Sequence, residues 1–174
     1  MATFIGLNID SADTGYTLTA SSAGLTSATS PPFPVVTGAA AKVGFTVQPS
    51  NAAVTAAITP AVQVAVQDAL GNTVPTSSAS VTVAIGTNPG GAALGGTLTA
   101  PASGGVATFS TLTLDKGGTG YTLTASSGTL TGATSAAFDV ASTPEKLGLV
   151  VAPPSSVVAG APLSPSVRVA VQDA

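Results

Sequence analysis

Seven side chains in this 174-residue sequence carry a carboxylate: Asp10, Asp13, Asp68, Asp115, Asp139, Glu145 and Asp173. Histidine and cysteine are both absent, which removes the usual general base, the thiol nucleophile and the common zinc ligands. Carboxylates alone leave two kinds of chemistry open: paired acid–base work of the glycosidase type, and binding of calcium by about six to eight oxygen ligands. Each acid stands at the end of an apolar run or beside a turn, where Asp ordinarily accepts backbone N–H bonds rather than converging on a partner. Catalysis is therefore not expected. For calcium the candidate ligands are Asp10 and Asp13 in "DSADTG", but the related stretch "DKGGTG" has Gly118 where Asp13 stands. Such a site would not recur along the chain, and no other cofactor is expected.

The rest of the composition narrows the function further. Only 6% of residues are charged, against about 25% in an ordinary soluble domain, so the surface must be hydroxyls, small side chains and backbone. The 44% hydrophobic content is ample for a core. Four basic residues against seven acidic ones give a net charge of −3, and with few aromatics to stack on bases, nucleic acid is not an expected partner. No apolar run reaches the roughly 18 residues of a membrane span, so no membrane insertion is expected. The opening "MATFIGLNID" lacks a basic segment followed by an apolar one; export would require a signal and any anchor outside these residues.

The elements that position these residues come from a repeat. "GYTLTASS" stands at residues 15–22 and again at 120–127. Sliding the chain on itself by that spacing lays Ala2–Thr37 over Ala107–Ser142 with more than half the positions identical, and lays "VAVQDA" (64–69) over "VAVQDA" (169–174). With compensating gaps near Lys146 and Ser155, "AKVGFTVQPS" also lies over "EKLGLVVAPP". The sequence thus reads as the C-terminal part of one repeat (1–37, strands E to G), a complete repeat (38–142) and the N-terminal part of a third (143–174, strands A and B).

Period-2 alternation and turn residues mark seven short strands in the complete repeat. Strand A is Val43–Gln48. Strand B is Val62–Asp68, with Val62, Val64 and Val66 inward and Gln63, Ala65 and Gln67 outward. Strand C is Val81–Ile85, followed by the glycine-rich loop "GTNPGG", and strand D is near Thr97–Thr99. Strand E is Val106–Leu114, with a slip in alternation between Phe109 and Leu112 that predicts a bulge. Strand F is Tyr121–Ser126 and strand G is Ala136–Val140. Seven strands in about 100 residues predict an all-β, immunoglobulin-like β-sandwich.

Both tyrosines, Tyr16 and Tyr121, fall where strand F begins. At that place in such sandwiches the ring is buried and the hydroxyl bonds backbone upstream, a tyrosine corner. Lys42 and Asp139 stand on the first and last strands, but no buried acid accompanies them to assist an internal crosslink. The stretches "AKVGFTVQPS", "ITPAVQVAVQDALGN", "SVTVAIGTNPGG" and "GVATFSTLTLDKGGTGYTLTASSG" resemble the bacterial immunoglobulin-like (Big-type) tandem repeats of large secreted and cell-surface proteins, adhesins among them. The resemblance implies an extracellular structural or adhesive stalk, with neighbouring repeats, other copies or a surface glycan or protein as partners. A carbohydrate-binding module is the alternative, with "GTNPGG" as its candidate loop, although tryptophan is absent.

The partial repeats are too short to bury a core alone, so each is expected to offer an uncovered half-sandwich to another chain. The residues expected at such an assembly face are Phe4, Tyr16, Leu18 and Phe33 on the first flank, and Leu149, Val167, Val169 and Val171 on the last. Pro31, Pro32 and Pro34 replace Ala136, Ala137 and Asp139 in strand G, which predicts an exposed edge there.

Overall fold

The computed structural model describes residues 1–142, 144 and 146–172; the carboxylates Glu145 and Asp173 lie outside the described residues. Every regular element described is a strand, and the protein is all-β, with several sheets in the manner of a β-sandwich. The first 37 residues hold β1 (Asp13–Tyr16), β2 (Thr19–Ala20), β3 (Ala28–Thr29) and β4 (Phe33–Val35). The central stretch begins with β5 (Lys42–Val47), β6 (Ala52–Ala53), β7 (Val62–Gln67), β8 (Ser80–Ile85), β9 (Leu94–Gly95) and β10 (Thr99–Pro101). It continues with β11 (Val106–Phe109), β12 (Thr113–Leu114), β13 (Gly118–Tyr121), β14 (Leu123–Ser126), β15 (Ala133–Thr134) and β16 (Phe138–Ala141). The last pair is β17 (Lys146–Val151) with β18 (Arg168–Gln172).

Two sheets of the central stretch enclose one core: β11–β7–β5, and β10–β8–β14–β15. β8 shows why its sequence makes a strand. Val81 and Val83 are buried while Ser80, Thr82 and Ala84 are exposed, which is the alternation of a half-buried strand. Val62, Val64 and Val66 of the opposite sheet meet Val81, Val83, Leu123 and Phe109 in a single cluster with Tyr121 and Phe138. Burying each such side chain contributes about 1.5–3 kcal/mol.

Ala65 departs from the sequence expectation: it is fully buried although it points away from that core. It sits mid-strand on the central strand of three, opposite Gly44 and Val106. The Gln67 side chain lies over Gly44, where an added Cβ would come within 2.6 Å of it.

Several elements differ from the seven expected strands. Strand A divides: β5 pairs with β7, then β6 crosses to run parallel with β16. The expected bulge in strand E is a full break, with β11 on β7 and β12 on β9. Thr111, in the gap, accepts a hydrogen bond at its hydroxyl from the Thr97 N–H (2.9 Å). Its carbonyl lies so close to Gly96 (φ 95°) that no side chain fits there. Strand D lies slightly later, as β10, and pairs with β8.

The same pairing registers occur twice. Asp13 is opposite Val35 and Tyr16 opposite Phe33; Gly118 is opposite Val140 and Tyr121 opposite Phe138. Thr19–Thr29 and Ala20–Ala28 correspond likewise to Thr124–Thr134 and Ala125–Ala133. Adding 105 to each number turns one set into the other. At the C-terminal end, Leu147 opposite Val171 and Leu149 opposite Val169 follow Val43 opposite Val66 and Phe45 opposite Val64. β4 pairs only with β1 among the described residues, whereas β16 also holds β6; Pro34 in β4 has no N–H to offer a second neighbour.

Candidate functional site

A polar cluster stands where the N-terminal segment meets the central stretch. It starts from the turn after β7, "QDALGN". Gly71 has φ 98°, which glycine adopts without strain. The turn closes through the Asp68 N–H donating to the Asn72 carbonyl (2.9 Å) and the Gly71 N–H donating to the Asp68 carbonyl (3.2 Å). Asp68 is buried at its centre. Its Oδ1 accepts from the N–H groups of Leu70 (3.0 Å) and Asn72 (2.9 Å), and its Oδ2 from the Gly38 N–H (3.0 Å) and the Asn72 side-chain amide (3.1 Å). The turn and the connecting segment are thus held by one carboxylate.

Asn72 carries the connection across. Its Nδ2 donates to the Asp10 carbonyl (2.9 Å), and its Oδ1 accepts from the Ala12 N–H (3.1 Å). Both bonds are to main chain, so the grip is indifferent to the side chains of the turn it holds. An open hollow of about 380 Å³ lies beside it, lined by Ile9, Asp10, Val36, Gly38, Leu70 and Asn72 among others. The bond from Gly38, followed by that from the Asn72 side chain, holds the Asp68 carboxyl down at about 2 against the opposing effect of burial. A carboxylate so placed has its lone pairs engaged and is a poor proton acceptor. The arrangement holds two segments together.

Asp10 and Asp13 are exposed and do not converge on a common ligand. Asp10 accepts a hydrogen bond from the Asn8 amide (3.3 Å), while Asp13 accepts one from the Thr14 N–H (2.7 Å). Among the described residues, no group of three or more His, Cys, Asp or Glu side chains is placed to hold a metal ion. Asp115 accepts from the Ala93 N–H (2.7 Å), outside its own turn, and so ties the turn to the loop after β8. Lys42 donates to the Ala69 carbonyl and Asp139 accepts from the Gly120 N–H; they have separate partners.

The two tyrosines occupy equivalent places with unequal cover. The Tyr121 ring is fully buried, and its hydroxyl donates to the carbonyls of Lys116 (3.0 Å) and Gly117 (3.3 Å). Tyr16 donates to the Ser11 carbonyl (3.0 Å) but is half-buried. Each ring leans on a phenylalanine at an interplanar angle of 36°, Phe33 for Tyr16 and Phe138 for Tyr121. The loop "GTNPGG" packs over the second corner: a Cβ on Gly90 would strike the Tyr121 hydroxyl and the Gly117 carbonyl. Within it, Asn88 exchanges two hydrogen bonds with the Ala92 backbone (2.8 and 2.9 Å). That loop braces the fold.

The sequence pattern gives no role to Asn72 and marks Asp68 only as a turn residue. The signal was present as an Asp and an Asn four apart around a glycine, a pattern able to cap its own turn. Nothing local in it shows that Asn72 reaches a turn 60 residues away. No protein-family model matches the chain, and no curated protein matches it.

Proposed function

We propose that the chain is a stretch of tandem immunoglobulin-like units serving as an extracellular stalk, with the Asp68–Asn72 cluster joining successive units. The observation that carries this reading is the recurrence of one pairing register at a spacing of 105 residues, together with bonds to main chain at the junction. An unbroken repeat with a side-chain-indifferent connector suits a spacer, which must transmit position along its length. The sheet order also supports the topology. The orders β11–β7–β5 (E–B–A) and β10–β8–β14 (D–C–F), with strand A crossing from β7 to β16, are those expected of a sandwich of the immunoglobulin kind. Placement outside the cell, and the bacterial surface proteins as relatives, are inferred from the resemblance of the repeat sequence.

The test is length. Chains extended by one, two and three further 105-residue periods are expected to give rods whose small-angle scattering dimensions grow in equal steps. Dimensions that grow instead as those of a flexible or compact chain would overturn the stalk reading.

A further inference from the structure

The geometry points to Asp68 as the positioning residue of the joint: its carboxylate fixes which way round the Asn72 amide faces, and so makes Asn72 a reader of one main-chain carbonyl and one main-chain N–H two residues apart. The inference rests on the tandem-unit reading only in treating this contact as a joint between units.

A primary amide has two unlike ends, an NH₂ that donates twice and an oxygen that accepts. Around Asn72 the two acceptors, the Asp10 carbonyl (2.9 Å) and Asp68 Oδ2 (3.1 Å), lie at the Nδ2 end. The one donor, the Ala12 N–H (3.1 Å), lies at the Oδ1 end. Turned over, the amide would set oxygen against two oxygens and NH₂ against an N–H, and every bond across the joint would be lost. Asp10 and Ala12 belong to the segment being gripped, so they cannot set the amide in advance. Asp68 can, because it belongs to the same turn as Asn72.

An ionised carboxylate only accepts, and its bonds are stronger than those between neutral groups. Oδ2 therefore draws the NH₂ end toward itself and leaves Oδ1 aimed at the place that Ala12 fills. Asp68 is itself fixed: it is 2% exposed, with Oδ1 held by the N–H groups of Leu70 (3.0 Å) and Asn72 (2.9 Å). Oδ2 also accepts from the Gly38 N–H (3.0 Å). One oxygen thus both holds the segment connecting the two units and orients the group that grips the first of them. The partner so recognised is a turn defined by its backbone. The Asp10 and Asp13 side chains are engaged with Asn8 and Thr14, and the Lys42 ammonium with the Ala69 carbonyl, so the nearby charges have other partners.

Asp68→Asn tests this with a change of one atom. The new amide keeps its oxygen toward the Leu70 and Asn72 N–H groups, which are donors, and turns its NH₂ toward Asn72. Donor then faces donor, and the Asn72 amide turns over. By NMR the Ala12 amide is expected to exchange several-fold faster than in wild type, as fast as in Asn72→Ala, while the Leu70 amide keeps its wild-type protection. Unchanged Ala12 exchange would overturn the inference. So would Leu70 and Ala12 accelerating together, since the turn would then have melted and Asp68 would be acting only as its cap. Wild type gives a reading that needs no variant: both Asn72 Nδ2 protons should exchange several-fold more slowly than those of asparagine in an unstructured peptide, and peptide-like rates would sink the idea. Rods that lengthen in equal steps, with Ala12 indifferent to Asp68→Asn, would remove the orienting role and leave the stalk reading in place. Ala12 released in a chain that forms no rods would do the reverse.

Discussion

Asp68 accepts four hydrogen bonds and is buried, yet its pKa is lowered rather than raised. Donated bonds to the charged form outweigh the loss of water, a balance that only a nearly saturated carboxylate reaches. The consequence for stability has a definite sign. A carboxyl whose pKa falls from 3.8 to about 2 on folding favours the folded state above about pH 4 and loses that contribution as pH drops through 2. Asp68→Asn is therefore expected to lower the thermal midpoint at neutral pH, where an amide cannot accept on both atoms. The gap between variant and wild type should narrow between pH 4 and 2, as followed by circular dichroism. A constant gap across that range would mean that the charge of Asp68 contributes nothing to folding.

Among the elements, strand F occurs twice with one sequence and two environments. Leu123 in β14 is sealed between two sheets, while Leu18, its counterpart, is about half exposed. Truncating a sealed leucine leaves a cavity and costs about 2–5 kcal/mol, whereas an exposed one costs within about 0.5 kcal/mol. Leu123→Ala is thus expected to shift the urea midpoint strongly, and Leu18→Ala hardly at all. An equally large shift for Leu18→Ala would mean that the face carrying Leu18 is covered in solution. Much of this level was legible in the sequence. The inward positions of β7, β8, β14 and β16 follow from alternation, because a strand's side-chain period fixes which residues share a face. The crossing of strand A and the break in strand E were not legible, since each depends on a distant partner: Val140 opposite Ala52 in one case and Thr111 facing Gly96 and Thr97 in the other.

At the scale of the whole molecule, the N-terminal segment is held to the central stretch through Asn72. Asn72 makes two bonds across the junction, each worth about 1 kcal/mol net. Asn72→Ala is expected to raise hydrogen exchange at the Ala12 amide several-fold while leaving amides of β7 and β14 protected, as read by NMR. A chain whose Ala12 exchange is unchanged would locate the grip elsewhere, in the apolar contacts around Ile9 and Leu70. The stalk reading predicts that the same variant bends more freely without unfolding.

What the sequence determined by itself is its self-similarity at a spacing of 105 residues and the inward positions of β7, β8, β14 and β16, because self-similarity and a period of two are local properties of the chain. Tyr121 was placed at the start of strand F on those grounds alone. The tertiary structure decided what surrounds each position. The same "GYTLTASS" is core at 120–127 and largely bare at 15–22, for burial depends on which other strands are present rather than on the residue that is buried. It also decided that Asn72 grips Asp10 and Ala12, since a hydrogen bond between residues 60 apart follows from the path of the chain and leaves no mark on the spacing of either.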